Sequence, residues 1–538
     1  MERSGGEVSA MGSRVSSDSD AAAGEDRLSG LPDDVLVLIL LRLHTAAAAA
    51  RTSILSRRWR RLWAILPELH FAVAPEPAST RAILESHEAA LRFLYVVTLG
   101  AAPDSVAAWL PAAARRLSGR LVFINKYAAK EGGEEEDEDE DEAAAQGGAF
   151  ELPCFGNATA FYLDLGFLGV AMPPAGIFAR LTELCLFQIR FHGPCELGDA
   201  ISSPRCPCLQ KLLIFSVRGL NNLAIHSGSL LRVSLRDLRG LRQLTIVAPV
   251  LEDLAVSDLC GWRQLTIVAP VLENLVVSDC FIYDWNQPVA SISAPQLVCL
   301  NWRDPNDPSS VDLGKMERVQ WLSTSSFLVY GPDNLAVAHN RGCIRLLERF
   351  KVMGGLNLTL DYIGEIENCA YLMDDMTVLP DIAFLNLNVL TYGHAFGASA
   401  FHVLMMCSGI RRLKLRFKAP TDSEAQSSCP SGCICGQQAD WKTEELSLNH
   451  LEEVEITELR GSEHEIAFLK RLLSWVGLLK RMTITFHSSV TENMANELCQ
   501  MLRSFSRTEI CMKFYTHQDT VKALFRGEAI LWNHRGLA

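Results

Sequence analysis

Apolar positions along the chain fall into three regimes. Between residues 31 and 66, Leu36, Ile39, Leu40 and Leu43 follow the i, i+3, i+4, i+7 spacing of one helical face. Pro32, Asp33 and Asp34 precede them. A proline has no donor to lose in a first turn, and carboxylates favour the positive end of the helix dipole, so this is a helix start. A second helix is predicted after Thr45, with Leu55, Trp59, Leu62 and Leu66 on one stripe. So short a helical hairpin cannot hide two tryptophans, Trp59 and Trp63, together with its aliphatic stripe. Part of that surface is expected to face a partner.

The middle of the chain repeats. Arg242–Asp258 recurs almost verbatim as Arg263–Asp279, a shift of 21 residues, and the shift extends backward to Leu223, Ile225, Leu230, Val233, Leu235 and Asp237. The shared element is L-x-x-L-x-L. It occurs at Leu181/Leu184/Leu186, Leu209/Leu212/Ile214, Leu230/Val233/Leu235, Leu251/Leu254/Val256, Leu272/Leu275/Val277 and Leu297/Leu300/Trp302, with spacings of 28, 21, 21, 21 and 25 residues. These periods belong to leucine-rich repeats, in which each unit buries its apolar face by stacking on its neighbours. There is no room for a helix between units. The alternating, β-branched Leu244–Pro249 reads instead as a second short strand, so the centre is expected to be a β-rich solenoid. Towards the C-terminus the period changes. Ile466, Leu469, Leu472, Leu473 and Val476 are helically spaced and Met482, Ile484 and Phe486 alternate as a strand. Met494–Phe505 and Ile510–Phe514 repeat the pair, and Phe401–Cys407 before Ile410, Leu413 and Leu415 is a third such unit. The expected fold class is α/β: an N-terminal helical unit, then a leucine-rich-repeat solenoid, β-rich in the centre and with αβ repeats at the C-terminus.

Two segments carry a family resemblance. Leu31-Pro32-Asp33-Asp34-Val35-Leu36 followed by Arg51-Thr52-Ser53-Ile54-Leu55-Ser56-Arg57-Arg58-Trp59-Arg60 resembles an F-box of the plant F-box/leucine-rich-repeat class, with Ala46–Ala50 in place of the usual charged connector. Alanine is the best helix former, so this run is expected to lengthen the second helix. Trp441–Leu446 with Leu451–Gly461 is similar to the FBD region at the end of many such proteins. The resemblance implies docking to a Skp-type adaptor and, through it, to a cullin–RING ubiquitin ligase. The residues it and the apolar stripe assign to the adaptor are Leu31, Pro32, Val35, Leu36, Ile39, Leu40, Leu43, Leu55, Trp59, Leu62 and Trp63. The implied organisation is a disordered N-terminus over 1–25, an F-box over 26–70, a solenoid over 71–425 interrupted by an acidic loop at 131–148, and FBD-type αβ repeats over 426–538.

Composition narrows the function. The 538 residues suffice for two to four domains and are 49% hydrophobic, which supports a large core. A net charge of −13 argues against a general nucleic-acid binder. Arg57, Arg58, Arg60 and Arg61 interleave with Trp59 and Leu62, so they read as a solvated helix face and not as a basic patch. Residues 1–25 have no hydrophobic region of signal-peptide type, and Val35–Leu41 is far below membrane-spanning length. The expected location is cytoplasm or nucleus, and the sixteen cysteines are expected to be mostly reduced core thiols. Cys429, Cys433 and Cys435 cluster, but without paired C-x2-C spacing or a nearby second half, so no metal site is expected. Glu134–Glu142 is nine consecutive acids between glycine pairs, a solvated insertion that lacks the alternating ligands of a calcium loop.

No catalytic constellation is visible: there is no P-loop, nucleophile elbow, zincin motif or dinucleotide fingerprint, and no cofactor is expected. His464 lies near Glu463 and Glu465, on what reads as an exposed helix face. Binding remains. Residues flanking the last leucine of each L-x-x-L-x-L should alternate outward, which places Cys185, Phe187, Leu213, Phe215, Ser234, Arg236, Ala255, Ser257, Val276, Ser278, Asn301 and Arg303 on one sheet face with only two charges. Phe187, Phe215, Arg236, Ser257, Ser278 and Arg303 are the candidate target contacts. The expected role is a non-catalytic substrate receptor of a ubiquitin ligase for an unidentified protein target. Two alternatives stay open: an adaptor-bound scaffold without degradation output, and a small-molecule-dependent receptor.

Overall fold

The computed structural model describes residues 30–516, except residue 44 and residues 127–147, 193–195, 260–261, 281–288, 305–310, 315, 333, 365, 419–432 and 437–439. The N-terminal tail, the acidic run Glu134–Glu142 and Cys429 lie outside the described residues.

A helical unit opens the chain. α1 (Asp33–Leu41) starts behind Pro32 with two carboxylates in its first turn. Thr45 caps α2 (Ala46–Arg51) by accepting a hydrogen bond from the Ala48 amide, 3.1 Å. The alanine run does not lengthen one long second helix. The chain tightens into a 3-10 turn at Thr52–Ile54, becomes extended at Ser56, and restarts as α3 (Arg57–Ala64). Short α pieces joined by a 3-10 turn are thus what the single expected helix becomes. Leu36, Leu40, Ala49, Trp59, Leu62 and Leu66 form a small core of their own, while Ala46 joins the large core of the rest of the protein.

Beyond residue 66 the molecule is a strand-rich α/β structure built around one eighteen-stranded sheet. Its N-terminal part contains β1 (Glu68–Phe71), α4 (Pro77–Ser86), β2 (Leu91–Leu99), α5 (Pro103–Arg116), β3 (Leu117–Lys126), the short β4 (Ala149–Glu151), β5 (Ala160–Ala171) and β6 (Glu183–Phe191). After α6 (Leu197–Ile201) come β7 (Lys211–Arg218), β8 (Asn222–His226), β9 (Arg232–Arg239), β10 (Gln243–Val247), β11 (Asp253–Ser257), β12 (Gln264–Val268), β13 (Asn274–Ser278), β14 (Val289–Ser293), β15 (Cys299–Trp302), β16 (Val311–Asp312) and β17 (Trp321–Leu328). In this stretch the chain alternates between two parallel sheets. β7, β9, β11, β13, β15 and β17 extend the large one, and β8, β10, β12, β14 and β16 form a second of five strands. The 21-residue shift is the sheet register itself: Leu244 pairs with Leu223 and Leu265, and Leu254 pairs with Val233 and Leu275. All eighteen L-x-x-L-x-L positions are buried. Each is apolar because it faces the same position one circuit on, and neither sheet could hide its inner side alone.

From β17 onward helices replace the second sheet. β18 (Tyr330–Gly331) and β20 (Ala370–Tyr371) form a small antiparallel pair. α7 (Asn334–Glu348), α8 (Gly397–Met406), α9 (Glu463–Trp475) and α10 (Glu492–Phe505) alternate with β19 (Val352–Asp361), β21 (Asp381–Leu390), β22 (Arg412–Lys418), β23 (Glu453–Leu459), β24 (Arg481–Phe486) and β25 (Cys511–Tyr515), all parallel. α9 begins with a capping box. Ser462 Oγ accepts from the Glu465 amide, and the Glu465 carboxylate accepts from the amides of Gly461 (2.7 Å) and Ser462 (2.8 Å). Glu465 is therefore buried as a cap and is not part of an exposed face beside His464, although desolvation holds its pKa above the ordinary glutamate range against these hydrogen bonds. Among the described residues no helix is long and apolar enough to cross a membrane, and the thirteen described cysteines form no disulfide.

Candidate functional site

The helical unit has two apolar sides, and only one is used internally. Leu36 and Leu40 point from α1 into the small core, where Trp59, Leu62 and Leu66 meet them. Away from that core Val35, Leu38 and Ile39 of α1 are exposed, Leu38 at 62%, and so are Leu43 after it and Ile54 (82%) and Leu55 (66%) at the 3-10 turn. Large aliphatic groups this exposed within one short unit are the composition of a contact surface. Arg58 braces the arrangement. Its Nε donates to Asp33 Oδ1 at 2.7 Å and its guanidinium to the Leu31 carbonyl, which ties α3 to the start of α1.

The eleven residues read as an adaptor face therefore divide. Leu36, Leu40, Trp59 and Leu62 are the unit's own core and have no outer surface to offer. Trp63 is half-buried and meets His87 edge-on at 6.0 Å. Pro32, Val35, Ile39, Leu43 and Leu55 are exposed, and Leu31 is partly so. Leu38 and Ile54 belong to the exposed set and were not among the eleven. α1 is apolar all round from Val35 to Leu41, so helical spacing cannot say which stripe faces in, and Ile54 sits in a 3-10 turn that helical spacing does not describe.

The second candidate surface is the outer face of the large sheet. One row of outward positions runs from His70 and Tyr95 through Val122, Tyr162, Cys185, Leu213, Ser234, Ala255, Val276, Asn301, Ser323, Asn357, Asn386, Lys414, Glu455 and Thr483 to Lys513. Its chemistry changes along the sheet from aromatic to small and polar to charged. Near the aromatic end, Tyr162 leans on Phe187 at 4.9 Å, and Phe187 stacks on Phe215 at 5.2 Å with the rings 7° from parallel. At the charged end Lys414 pairs with Glu455 at 2.8 Å and Arg412 with Glu453 at 3.1 Å, around a groove of 190 Å³ that Phe384 and Tyr515 also line.

Phe187, Phe215, Arg236, Ser257 and Ser278 are register partners on consecutive strands, so five of the six candidate target contacts share one row. Arg303 lies just past β15, with its Nε donating to Asn301 Oδ1 at 3.0 Å. Two expectations about this face need correction. Cys185 is 7% exposed, under the Arg120–Glu183–Lys211 ion pairs, and burial pushes its thiol pKa up. The face is also more charged than the alternation suggested. Asp237 within β9, and Asp258 and Asp279 just past β11 and β13, have φ of 52°, 54° and 54°, which lifts them out of strict alternation. Asp258 meets Arg236 at 2.9 Å, and desolvation, with Asp258 close by, raises the Asp279 pKa. Aspartate tolerates this left-handed conformation better than most residues, which is the local reason for aspartate at this position of three successive circuits.

Soft donors converge at one place among the described residues, where His394, Cys433 and Cys435 bring one nitrogen and two sulfurs within 4.8 Å of one another.

Comparison with known proteins identifies the helical unit. The F-box domain model matches residues 28–71. An F-box/FBD/LRR-repeat protein of Arabidopsis thaliana is 57% identical over 47 residues, 9% of this chain and 10% of that protein. Two longer matches, to Arabidopsis thaliana proteins also named for an F-box, an FBD region and leucine-rich repeats, are 27% identical over 228 residues (40% of this chain, 48% of that protein) and 28% identical over 233 residues (39% and 42%). The aligned regions span less than half the length of each of these relatives. The chain carries an F-box domain at residues 28–71 and is homologous, over part of its length, to the F-box/FBD/LRR-repeat proteins of Arabidopsis thaliana.

Proposed function

We propose that this chain is a non-catalytic substrate-recognition subunit of a Skp–cullin–F-box ubiquitin ligase. The observation that carries the reading is the two-sided α1: Leu36 and Leu40 close the F-box core, and Leu38, Ile39, Ile54 and Leu55 lie bare on its outside. That outer patch, with Leu31, Pro32, Val35 and Leu43, is the surface for a Skp-type adaptor. Leu36, Leu40, Trp59 and Leu62 act from within by holding its shape. In this reading the described strands and helices between residues 71 and 425 are a leucine-rich-repeat solenoid, and those between 426 and 516 are an FBD-type unit. The half-buried Tyr162–Phe187–Phe215 ladder supplies rigid aromatic contact area, and the neighbouring Arg236, Ser257, Ser278 and Arg303 supply polar specificity for a protein target. Holding target and ubiquitin-conjugating enzyme in one complex raises the effective concentration of target lysines with no catalytic group on this chain. Cytoplasm or nucleus is the corresponding location.

The test is a reconstituted ligase containing the full chain, adaptor and cullin–RING core, presented with proteins that co-purify with the chain. Ubiquitination of a co-purifying protein that is lost with Phe187→Ala/Phe215→Ala, while adaptor binding persists, is the expected result. Binding without ubiquitination would make the chain a scaffold. Retained binding by the double variant would move recognition to the charged C-terminal end of the face.

A further inference from the structure

We propose that His394, Cys433 and Cys435 form a structural zinc site that staples the crossover between β22 and β23 to the turn before α8. The proposal does not depend on the F-box or on target recognition.

The three donors come from segments far apart in sequence. His394 sits in the tight turn after β21, which Tyr392 (φ 47°) and Gly393 (φ 85°) bend and which the His394 amide closes by donating to the Thr391 carbonyl at 2.8 Å. Cys433 and Cys435 flank Ile434 at a single 3-10 turn. His394 and Cys435 are buried and Cys433 half-buried, so the sulfurs and the imidazole face one another away from bulk water.

Three features suit a metal better than chance packing. First, the histidine is oriented. Its Nε2 lies 3.2 Å from the Gly364 carbonyl, which can only accept, so Nε2 carries the proton and the Nδ1 lone pair points at the sulfurs. The ring is held in that attitude by stacking on the buried Tyr362 at 6.2 Å. Second, the spacing fits. A tetrahedral ion about 2.3 Å from sulfur and about 2.0 Å from nitrogen puts those two atoms roughly 3.5 Å apart. Cys433 Sγ and His394 Nδ1 are 3.5 Å apart. Third, the Ala395 amide donates to Cys435 Sγ at 3.4 Å, a contact that favours the thiolate a metal needs. Two thiolates and an imidazole are the soft-to-intermediate set that selects zinc over calcium or magnesium. Water, or a donor beyond these three, completes the fourth position.

The surrounding packing shows what the ion would hold. A few residues past Cys435, Trp441 lies flat against Gly397 at the start of α8, where a Cβ would come within 2.1 Å of the indole. The backbone is thus built for close approach of this crossover to the same turn that carries His394. Zinc there would fix the register between the first C-terminal αβ unit and the next.

The full chain, purified without chelator, should contain one equivalent of zinc by mass spectrometry. Cobalt(II) exchange should give thiolate charge-transfer and tetrahedral d–d bands. Cys433→Ser/Cys435→Ser and His394→Ala should each lower metal content at least tenfold, and chelator should lower the thermal midpoint of the wild type only. Unchanged metal content in the double variant, a wild type that takes up neither zinc nor cobalt, or a Cys433–Cys435 disulfide in freshly isolated protein would overturn the proposal. If the variants do not fold, alkylation mapping of the wild type decides: both cysteines should be protected by zinc and become reactive on chelation, and reactivity independent of zinc rejects the site.

Discussion

Replacing Leu254 by alanine tests whether the central circuits behave as a quasi-linear stack. Leu254 is 1% exposed and sits inward on β11, in register with Val233 on one side and Leu275 on the other. Truncating a fully buried leucine loses its transfer free energy and leaves a cavity, at a cost of about 3 kcal/mol within a usual span of roughly 2–5. β11 pairs only with β9 and β13 in the large sheet, so the loss should be confined to nearby circuits. Hydrogen exchange of the full chain, followed by mass spectrometry, is the assay. About 3 kcal/mol corresponds to roughly a hundredfold faster exchange where opening is local. That acceleration should appear in peptides from residues 232–278 and be absent from residues 33–66. Ser257→Ala, outward on the same strand, should change exchange little, since surface substitutions usually stay within about 0.5 kcal/mol. Equal acceleration in the F-box and the central circuits would show one cooperative body and refute the reasoning.

Two further expectations concern single buried groups. Glu465→Ala removes a carboxylate that satisfies the Gly461 and Ser462 amides, so it should destabilise the α9 region by about 1–3 kcal/mol in a thermal melt, with Gln partly restoring it; an unchanged midpoint would mean that water replaces the cap. His87 is buried with its Nε2 2.7 Å from the Leu66 carbonyl, and desolvation lowers its pKa below 6.5. The folded ring stays neutral where the unfolded one takes up a proton, so this contribution is intact above about pH 6.5 and is lost as the pH falls below it. The fall in thermal midpoint from pH 7 to pH 5 should be smaller in His87→Gln, and an identical fall in both proteins would remove His87 from the acid response.

How far the sequence shows this structure depends on the range of the physics involved. The 21-residue period was readable because identical neighbours stack in register, so the strands and their buried leucines follow from local pattern alone. The αβ units at the C-terminus were readable for the same reason, since period 3.6 and period 2 alternate plainly over residues 463–515. The F-box face was only half legible. α1 is apolar on every side, so choosing between Leu36 and Leu38 needs the position of Trp59. The Ala46–Ala50 run favoured a continuous helix by propensity, and packing of α3 on α1, braced by Arg58 on Asp33, broke it instead. Asp237, Asp258 and Asp279 escaped strict alternation because their positive φ is a backbone property. His394 stood outside the cysteine cluster in sequence because 39 residues separate it from Cys433, a distance that closes only in the folded chain.

The central claim is that the exposed side of the F-box, and not its core, meets the adaptor. The most direct measurement is the affinity of a purified Skp-type adaptor for the full chain and for Leu38→Glu/Ile54→Glu. Both positions are largely exposed, so the double variant should keep the wild-type thermal midpoint and hydrogen-exchange pattern. Loss of two apolar anchors of about 2 kcal/mol each would weaken binding by three orders of magnitude or so. A folded double variant that binds the adaptor as tightly as the wild type would contradict the claim.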